Sequence, residues 1–271
     1  MHQGSHRETK RDSLLAMKHL LDEDGVFVRE RAFLPAELAA VIDEYQNTEP
    51  DLPEPVRHQP IVGFWTFVDG DKKRFRLLDE MPALKTLAQM VAGYVRTLAD
   101  GKLRLLESIV FNKPPKLAGL LHWHQDTSYF PLEPNNQIAC WIPFDVVTEN
   151  SGAMLYALGS HLRGPRGSSN LLSGIPLKGE TREALPKDPR LEGYEVQCFE
   201  MFPGDMLVHE GRTWHASGPN TSTRERRGLS FRYIVGETRY LKRGGSAGPF
   251  TKQTTLQDGD LVDDPAFPVM A

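Results

Sequence analysis

Residues Leu120 to Phe130 read LLHWHQDTSYF. An apolar run turns there into His122, Trp123, His124, Gln125 and Asp126. Side chains two apart on a strand point to one side, so the spacing predicts three potential metal ligands on one face. Two histidines and a carboxylate can hold a divalent metal by three positions on one face of an octahedron. Three positions then stay open for other molecules, as non-haem Fe(II) chemistry requires. His124 and Asp126 make the His-x-Asp pair. His209 in DMLVHEG and His215 in RTWHASGPN are the two candidates for the distant ligand, and His215 is the better one. Arg226 stands eleven positions after His215 and enters the strand-like stretch RGLSFRYI. A guanidinium there could clamp a dicarboxylate through paired hydrogen bonds.

Each of these residues also has an ordinary reading. His-x-Asp recurs by chance in chains of this size. His122 shares the expected face of His124 and could be a ligand instead, giving a His-x-His site, or, in the preferred reading, could hydrogen-bond from behind the ligands. His161 and His209 read as structural histidines. Arg226 and Arg227 could both be solvated strand-end charges. Trp123, Trp141 and Trp214 surround the proposed site, yet tryptophans are core residues by default. The argument rests on the conjunction.

The elements that must position this set fall into two halves. DSLLAMKHLLDEDG, LPAELAAVIDEY and MPALKTLAQMVAGYVRTLA carry helical spacing, with Pro35 at a helix start. GVFVRERAF alternates like a strand, and GFWTFVDGDKKRFRLL reads as a hairpin turning at Asp69-Gly70. From Leu103 on, strand candidates succeed one another: LRLLESIVFN, LLHWHQD, QIACWIPFDVV, AMLYALGS, YEVQCFEMF, DMLVHEG and RGLSFRYIVGE. Turn chemistry at Lys113-Pro114-Pro115 and Pro203-Gly204-Asp205 separates them. Helices followed by strands predict a mainly β fold with flanking α elements. The specific expectation is a jelly-roll (double-stranded β-helix, cupin-like) core packed against N-terminal helices. One domain over 1–271 is expected, with 1–12 a flexible arm. The long polar stretch 164–193 is expected to be a lid.

Composition narrows the classes. A net charge of -4 lacks the basic excess of a nucleic-acid binder. The two cysteines, Cys140 and Cys198, are too few for a disulfide framework. The polar start and the lack of a long apolar run predict neither secretion nor membrane spanning, hence a cytoplasmic protein. The expected partner is a small-molecule substrate, and the expected state a monomer or homodimer.

Three stretches resemble the phytanoyl-CoA dioxygenase family: NKPPKLAGLLHWHQDTSYFPLEPNNQIACWIPFD, VTENSGAMLYALGSH and PGDMLVHEGRTWHASGPNTSTRERRGLSFRY. The order and spacing fit from about Ile109 to Tyr233, and EDGVFVRERAFLPAEL is similar to the family's usual opening. The resemblance implies a double-stranded β-helix oxygenase dependent on Fe(II), 2-oxoglutarate and O2. It implies His124, Asp126 and His215 as iron ligands and Arg226 as the 2-oxoglutarate arginine. Ser217 would be a second contact to the same carboxylate, with Trp141, Asn112 and Ile109 lining the cosubstrate pocket. One departure is Leu158-Gly159-Ser160-His161, where the family has Pro-Gly-Ser-His. The implied reaction is hydroxylation of a C–H bond, releasing succinate and CO2. Asp126 argues against halogenation, since related halogenases lack that carboxylate. Candidate substrate-facing residues are Phe64, Trp65, Tyr129, Thr213 and Arg239, with Lys72, Lys73, Arg74 and Arg76 as an anion-attracting cluster. Two alternatives stand beside this: a zinc-dependent hydrolase or lyase on the same ligands, and a non-catalytic jelly-roll binding protein.

Overall fold

A computed structural model of the chain describes residues 5–48, 63–66, 81–116, 119–245 and 255–270; for 5–13, 48 and 63–66 it describes the backbone course alone. Two antiparallel sheets face one another, and helices cover the outer side of the larger. The helices are α1 (Ser5–Glu23), α2 (Pro35–Thr48) and α3 (Pro82–Leu98). The strands are β1 (Val26–Arg29), β2 (Gly63–Thr66), β3 (Leu103–Lys113), β4 (Leu121–His124), β5 (Leu132–Glu133), β6 (Gln137–Pro143), β7 (Met154–Ala157), β8 (Val196–Phe199), β9 (Met206–Glu210), β10 (His215–Ser217), β11 (Arg226–Val235) and β12 (Arg239–Tyr240). The larger sheet runs β1-β9-β6-β11-β3-β2 and the smaller β4-β10-β7-β8, while β12 and β5 form a separate ribbon. This is the expected mainly β jelly-roll with flanking helices.

Period-two alternation in the larger sheet divides its residues between two cores. Leu229, Phe231 and Tyr233 of β11, Ile138, Cys140 and Ile142 of β6, and Val208 of β9 pack outward on the helices. They meet Leu84, Leu87, Val91 and Val95 of α3, whose spacing of three and four residues makes one apolar stripe. Burying each such side chain is worth about 1.5–3 kcal/mol. Pro82 opens α3, and the Glu44 carboxylate of α2 accepts from its first free amides, Ala83 at 2.8 Å and Leu84 at 3.0 Å. The intervening residues face the smaller sheet, where Val26, Trp141, Tyr156 and Leu207 form an inner cluster.

Several details depart from expectation. Helix α1 begins at Ser5, so the backbone of residues 5–12 is helical. Strand β2 lies on β3 in antiparallel register, Phe64 opposite Phe111 and Trp65 opposite Val110. The expected turn at Asp69-Gly70 and the cluster of Lys72, Lys73, Arg74 and Arg76 lie outside the described residues. The C-terminal stretch, unassigned by pattern, packs onto the barrel: Met270 N–H donates to Leu103 O and Phe267 is fully buried.

Candidate metal and cosubstrate site

The inner face of the smaller sheet presents the ligand set. His124 ends β4 and pairs in register with His215 on β10. Asp126 follows in a short 3-10 turn, Asp126–Tyr129. One ligand atom from each of the three lies within 4.8 Å of the others. Asp126 Oδ1 is 3.9 Å from His124 Nε2 and 3.6 Å from His215 Nε2. No other group of this kind occurs among the described residues.

The backbone sets which ring nitrogen faces the centre. His124 Nδ1 lies 2.8 Å from His122 O, and His215 Nδ1 lies 2.9 Å from Thr213 O. A carbonyl only accepts, so both Nδ1 atoms carry the proton and both Nε2 lone pairs point inward. Burial pushes both imidazoles below the usual histidine range, His215 well below it. Neutral rings with aligned lone pairs are what a divalent cation needs.

The carboxylate is held from behind. Arg232 on β11 donates to Asp126 Oδ1 from Nη2 at 2.7 Å and places Nε 2.7 Å from Oδ2. It also pairs with Glu107 of β3. Burial lowers the Arg232 pKa to about 9, which leaves it cationic at neutrality. His209 on β9 adds a third donor, its Nε2 lying 3.0 Å from Asp126 Oδ2. Burial holds His209 neutral, with a pKa of about 3. Its remaining nitrogen accepts from the Tyr156 hydroxyl at 3.0 Å. Tyr156 also stacks on the His215 ring, 5.3 Å between centroids and 19° between planes. His209 is therefore not the third ligand but the group that orients one, a role its apolar surroundings in DMLVHEG do not disclose.

Arg226, Gly228, Ser230 and Arg232 alternate on the inward face of β11, and Arg226 and the ligand pair His124 and His215 line the same cavity. Arg226 is 2 % exposed. It donates from Nη2 to Gly152 O and, at 3.0 Å, to Ser217 Oγ, while Nε has no hydrogen-bond partner. An unpartnered donor on a buried guanidinium is costly unless an anion completes it. The Trp141 ring packs beside that guanidinium, with 5.2 Å from Cζ to the ring centroid. Arg227, one residue on, faces away and makes a two-pronged pair with Asp145 at 2.9 and 3.0 Å. Of the two arginines, Arg226 is thus the one that lines the cavity.

Other expected residues are placed differently. His122 does not share the face of His124. Between the pairs His124–His215 and Leu121–Ser217 the register shifts, so His122 and Trp123 together oppose the single residue Ala216. Such a bulge turns the extra residue away. His122 and Trp123 line a separate cavity of about 570 Å³, with Leu155 and Ala216 from the outer face of the same sheet. Segment 164–193 covers that cavity, and a Cβ on Gly174 would lie 3.2 Å from the His122 ring. On β3, Phe111 and Lys113 point into the site cavity. Ile109 is buried on that inward side without lining it. Asn112 points the other way and donates to Glu225 at 2.8 Å. Thr213 is fully buried, its hydroxyl spent on Gly25 O at 2.8 Å, so its carbonyl rather than its side chain serves the site. Arg239 is exposed on β12 and donates to Gly259 O, away from the cavity. Tyr129 sits edge-on to His124, 6.0 Å between centroids, and donates to Ser169 O at 2.8 Å. Of Phe64 and Trp65 the strand position is described and no more. Lys113, Arg232 and Phe111 were not singled out from sequence. The signal available was their alternation with residues already named on β11 and β3.

Comparison with known proteins agrees with this geometry. The family model for phytanoyl-CoA dioxygenase (PhyH) matches residues 21–228. A protein described as a probable alpha-ketoglutarate-dependent hypophosphite dioxygenase of Stutzerimonas stutzeri is 28% identical over 163 residues, 60% of this chain and 56% of that protein. A probable phytanoyl-CoA dioxygenase of Caenorhabditis elegans is 26% identical over 220 residues, 71% of this chain and 63% of that one. The chain thus spans 56–63% of the length of these curated relatives. Among solved structures, the epimerase SnoN in complex with Fe3+, alpha ketoglutarate and nogalamycin RO superposes with a TM-score of 0.75 at 18% identity, covering 96% of this chain and 100% of that one. The carbocyclase SnoK of nogalamycin biosynthesis gives 0.73 at 21% identity, over 94% and 96%. At these identities the two structures establish the fold.

Proposed function

We propose that this chain, which belongs to the phytanoyl-CoA dioxygenase family, hydroxylates an unactivated C–H bond of a small-molecule metabolite, using Fe(II), 2-oxoglutarate and O2. The observation that carries the reading is the buried Arg226, with its unpartnered Nε, in the same cavity as two histidines and a carboxylate. His124, Asp126 and His215 fit a divalent iron: two neutral imidazole nitrogens and one anionic oxygen converge, and three positions remain for other ligands. Bound iron supplies the oxidising chemistry: 2-oxoglutarate, O2 and R–H give succinate, CO2 and R–OH.

The chain's own groups do the rest. Arg232 and His209 fix the Asp126 carboxylate, so it meets the metal without reorganising. Arg226 holds the far carboxylate of the cosubstrate; Ser217, whose hydroxyl donates to Gly152 O at 2.8 Å, accepts from that guanidinium and seats it, and the Trp141 ring shields the site from water. In such a dry setting each charge-assisted hydrogen bond counts for about 1.5–3 kcal/mol. Tyr129, edge-on to His124 and joined to Ser169, links the metal site to segment 164–193. That link supports Tyr129 as a substrate neighbour and 164–193 as the cover of the cavity beside the site. With Asp126 filling a position a halide would need, hydroxylation is favoured over halogenation. A zinc hydrolase would have no use for Arg226, which argues against that alternative.

Among the described residues no helix is long and apolar enough to cross a membrane. The test is succinate release from protein supplied with Fe(II), 2-oxoglutarate and O2, screened against small-molecule substrates. The reading requires Arg226→Gln to raise the KM for 2-oxoglutarate by about 100-fold, from the loss of one or two charge-assisted bonds. A metal-loaded, folded protein that consumes no 2-oxoglutarate with any substrate would refute it.

A further inference from the structure

Lys113 is a third buried basic side chain of the cavity, beside Arg226 and Arg232. It ends β3 and points inward beside Phe111, and it is 1 % exposed. Its Nζ donates to Ser217 O at 3.3 Å and to Gly218 O. Both acceptors are neutral carbonyls. Among the described residues Arg226, a like charge, is the one charged group that acts on it. From β10 and the turn after it Lys113 meets carbonyls, from the turn at Gly152 an uncharged backbone, and from β11 the guanidinium of Arg226. Arg232, the remaining cation of the cavity, is already matched by Asp126 and Glu107. A lysine buried among carbonyls and beside an arginine, with no carboxylate to answer it, is an expensive arrangement. A stability role alone would be served as well by an uncharged donor.

Resting on the reading that 2-oxoglutarate binds here, we propose that Lys113 is a second cation for the cosubstrate's far carboxylate, paired with Arg226, and selects a dicarboxylate over a 2-oxo acid with no second carboxylate. An ammonium has three donors, and two are engaged with Ser217 and Gly218, leaving one for an anion. Arg226 offers its free Nε to the same anion. Burial, helped by Arg226, lowers the Lys113 pKa to about 6. At neutral pH the empty site therefore holds mostly neutral amine. An arriving carboxylate favours the charged form. Binding then draws in a proton, and affinity falls as pH rises above about 6 until the pKa of the complex is reached.

The test uses the Mn(II)-loaded full chain and calorimetry, with 2-oxoglutarate and 2-oxobutyrate as probes. Lys113→Met should weaken 2-oxoglutarate tenfold or more and leave 2-oxobutyrate unchanged, so the ratio of the two affinities collapses. A purely structural lysine would weaken both probes alike, and that result overturns the proposal. Repeating the wild-type titration at pH 7.5 in buffers of different ionisation enthalpy counts protons directly. Uptake approaching one proton per 2-oxoglutarate, absent with 2-oxobutyrate, is expected, and no uptake overturns the proposal even should Lys113→Met fail to fold. Wild-type protein that binds neither probe would instead refute the cosubstrate reading itself.

Discussion

Gly228 is a glycine for a reason outside its own backbone. It sits on β11 opposite Pro143 of β6 and Phe111 of β3. A Cβ added there would fall against the Trp141 indole, 2.5 Å from Cε2 and 2.9 Å from Cη2. Ordinary carbon contacts are about 3.5–4.0 Å, so the ring would have to move by about 1 Å or more. Trp141 is 3 % exposed and packed among Val26, Tyr156 and Leu207, which leaves it little room. Overpacking of this kind costs about 1–3 kcal/mol. Stiffening the unfolded chain by Gly→Ala returns about 0.4–1 kcal/mol. The expected net loss for Gly228→Ala is therefore about 1–2 kcal/mol, read by urea unfolding followed by circular dichroism. The displaced ring also leaves the Arg226 guanidinium, a contact worth about 2 kcal/mol when dry. Losing half of it weakens 2-oxoglutarate about fivefold. Trp141→Leu removes the clash, so in its background Gly228→Ala should cost little, giving an interaction energy of about 1 kcal/mol or more. Strict additivity of the two substitutions, or a Gly228→Ala protein as stable as wild type, would refute the steric argument.

Three further outcomes follow from the site. His209→Ala removes one donor from Asp126 Oδ2 and the partner of the Tyr156 hydroxyl; Fe(II) affinity, measured by competition with a chromogenic chelator, should fall about 10–100-fold. Arg227→Gln breaks the half-buried pair with Asp145 and the longer one with Glu225 and should leave 2-oxoglutarate affinity unchanged in calorimetry, whereas Arg226→Gln should not. Metal-free stability should fall in acid: His209 has a folded pKa of about 3 against about 6.5 unfolded, so its contribution is intact above 6.5 and lost as pH drops toward 3. Denaturant melts between pH 7 and 4 should show that decline at about 1.4 kcal/mol per pH unit for each such histidine.

The parts of the site carried by residue type and strand alternation were legible from sequence. His124, Asp126 and His215 announce themselves as ligand types, and Arg226 by its place at a strand entry. The helices on α2 and α3 follow their apolar spacing nearly to the residue. What stayed hidden depended on tertiary geometry. The β4 bulge reverses His122, because strand periodicity assumes an unbroken register. Asn112, named through the resemblance, stands one position from Lys113, which faces the cavity; a two-sided buried strand such as β3 shows no polar alternation to fix its inner face. Thr213 and Arg239, candidate substrate-facing residues by type, carry no local sign of what they bond. Only the fold shows the first tied to Gly25 and the second turned to Gly259. The behaviour of His209 depends on Tyr156, 53 positions away, which no local pattern reveals.

The most direct test of the central claim is an anaerobic titration of metal-free protein with Fe(II) and then 2-oxoglutarate, followed by visible absorption. The account predicts a weak charge-transfer band that needs both additions, is lost in His215→Ala, and requires far more 2-oxoglutarate in Arg226→Gln. A folded protein that binds Fe(II) and develops no such band at saturating 2-oxoglutarate would contradict it.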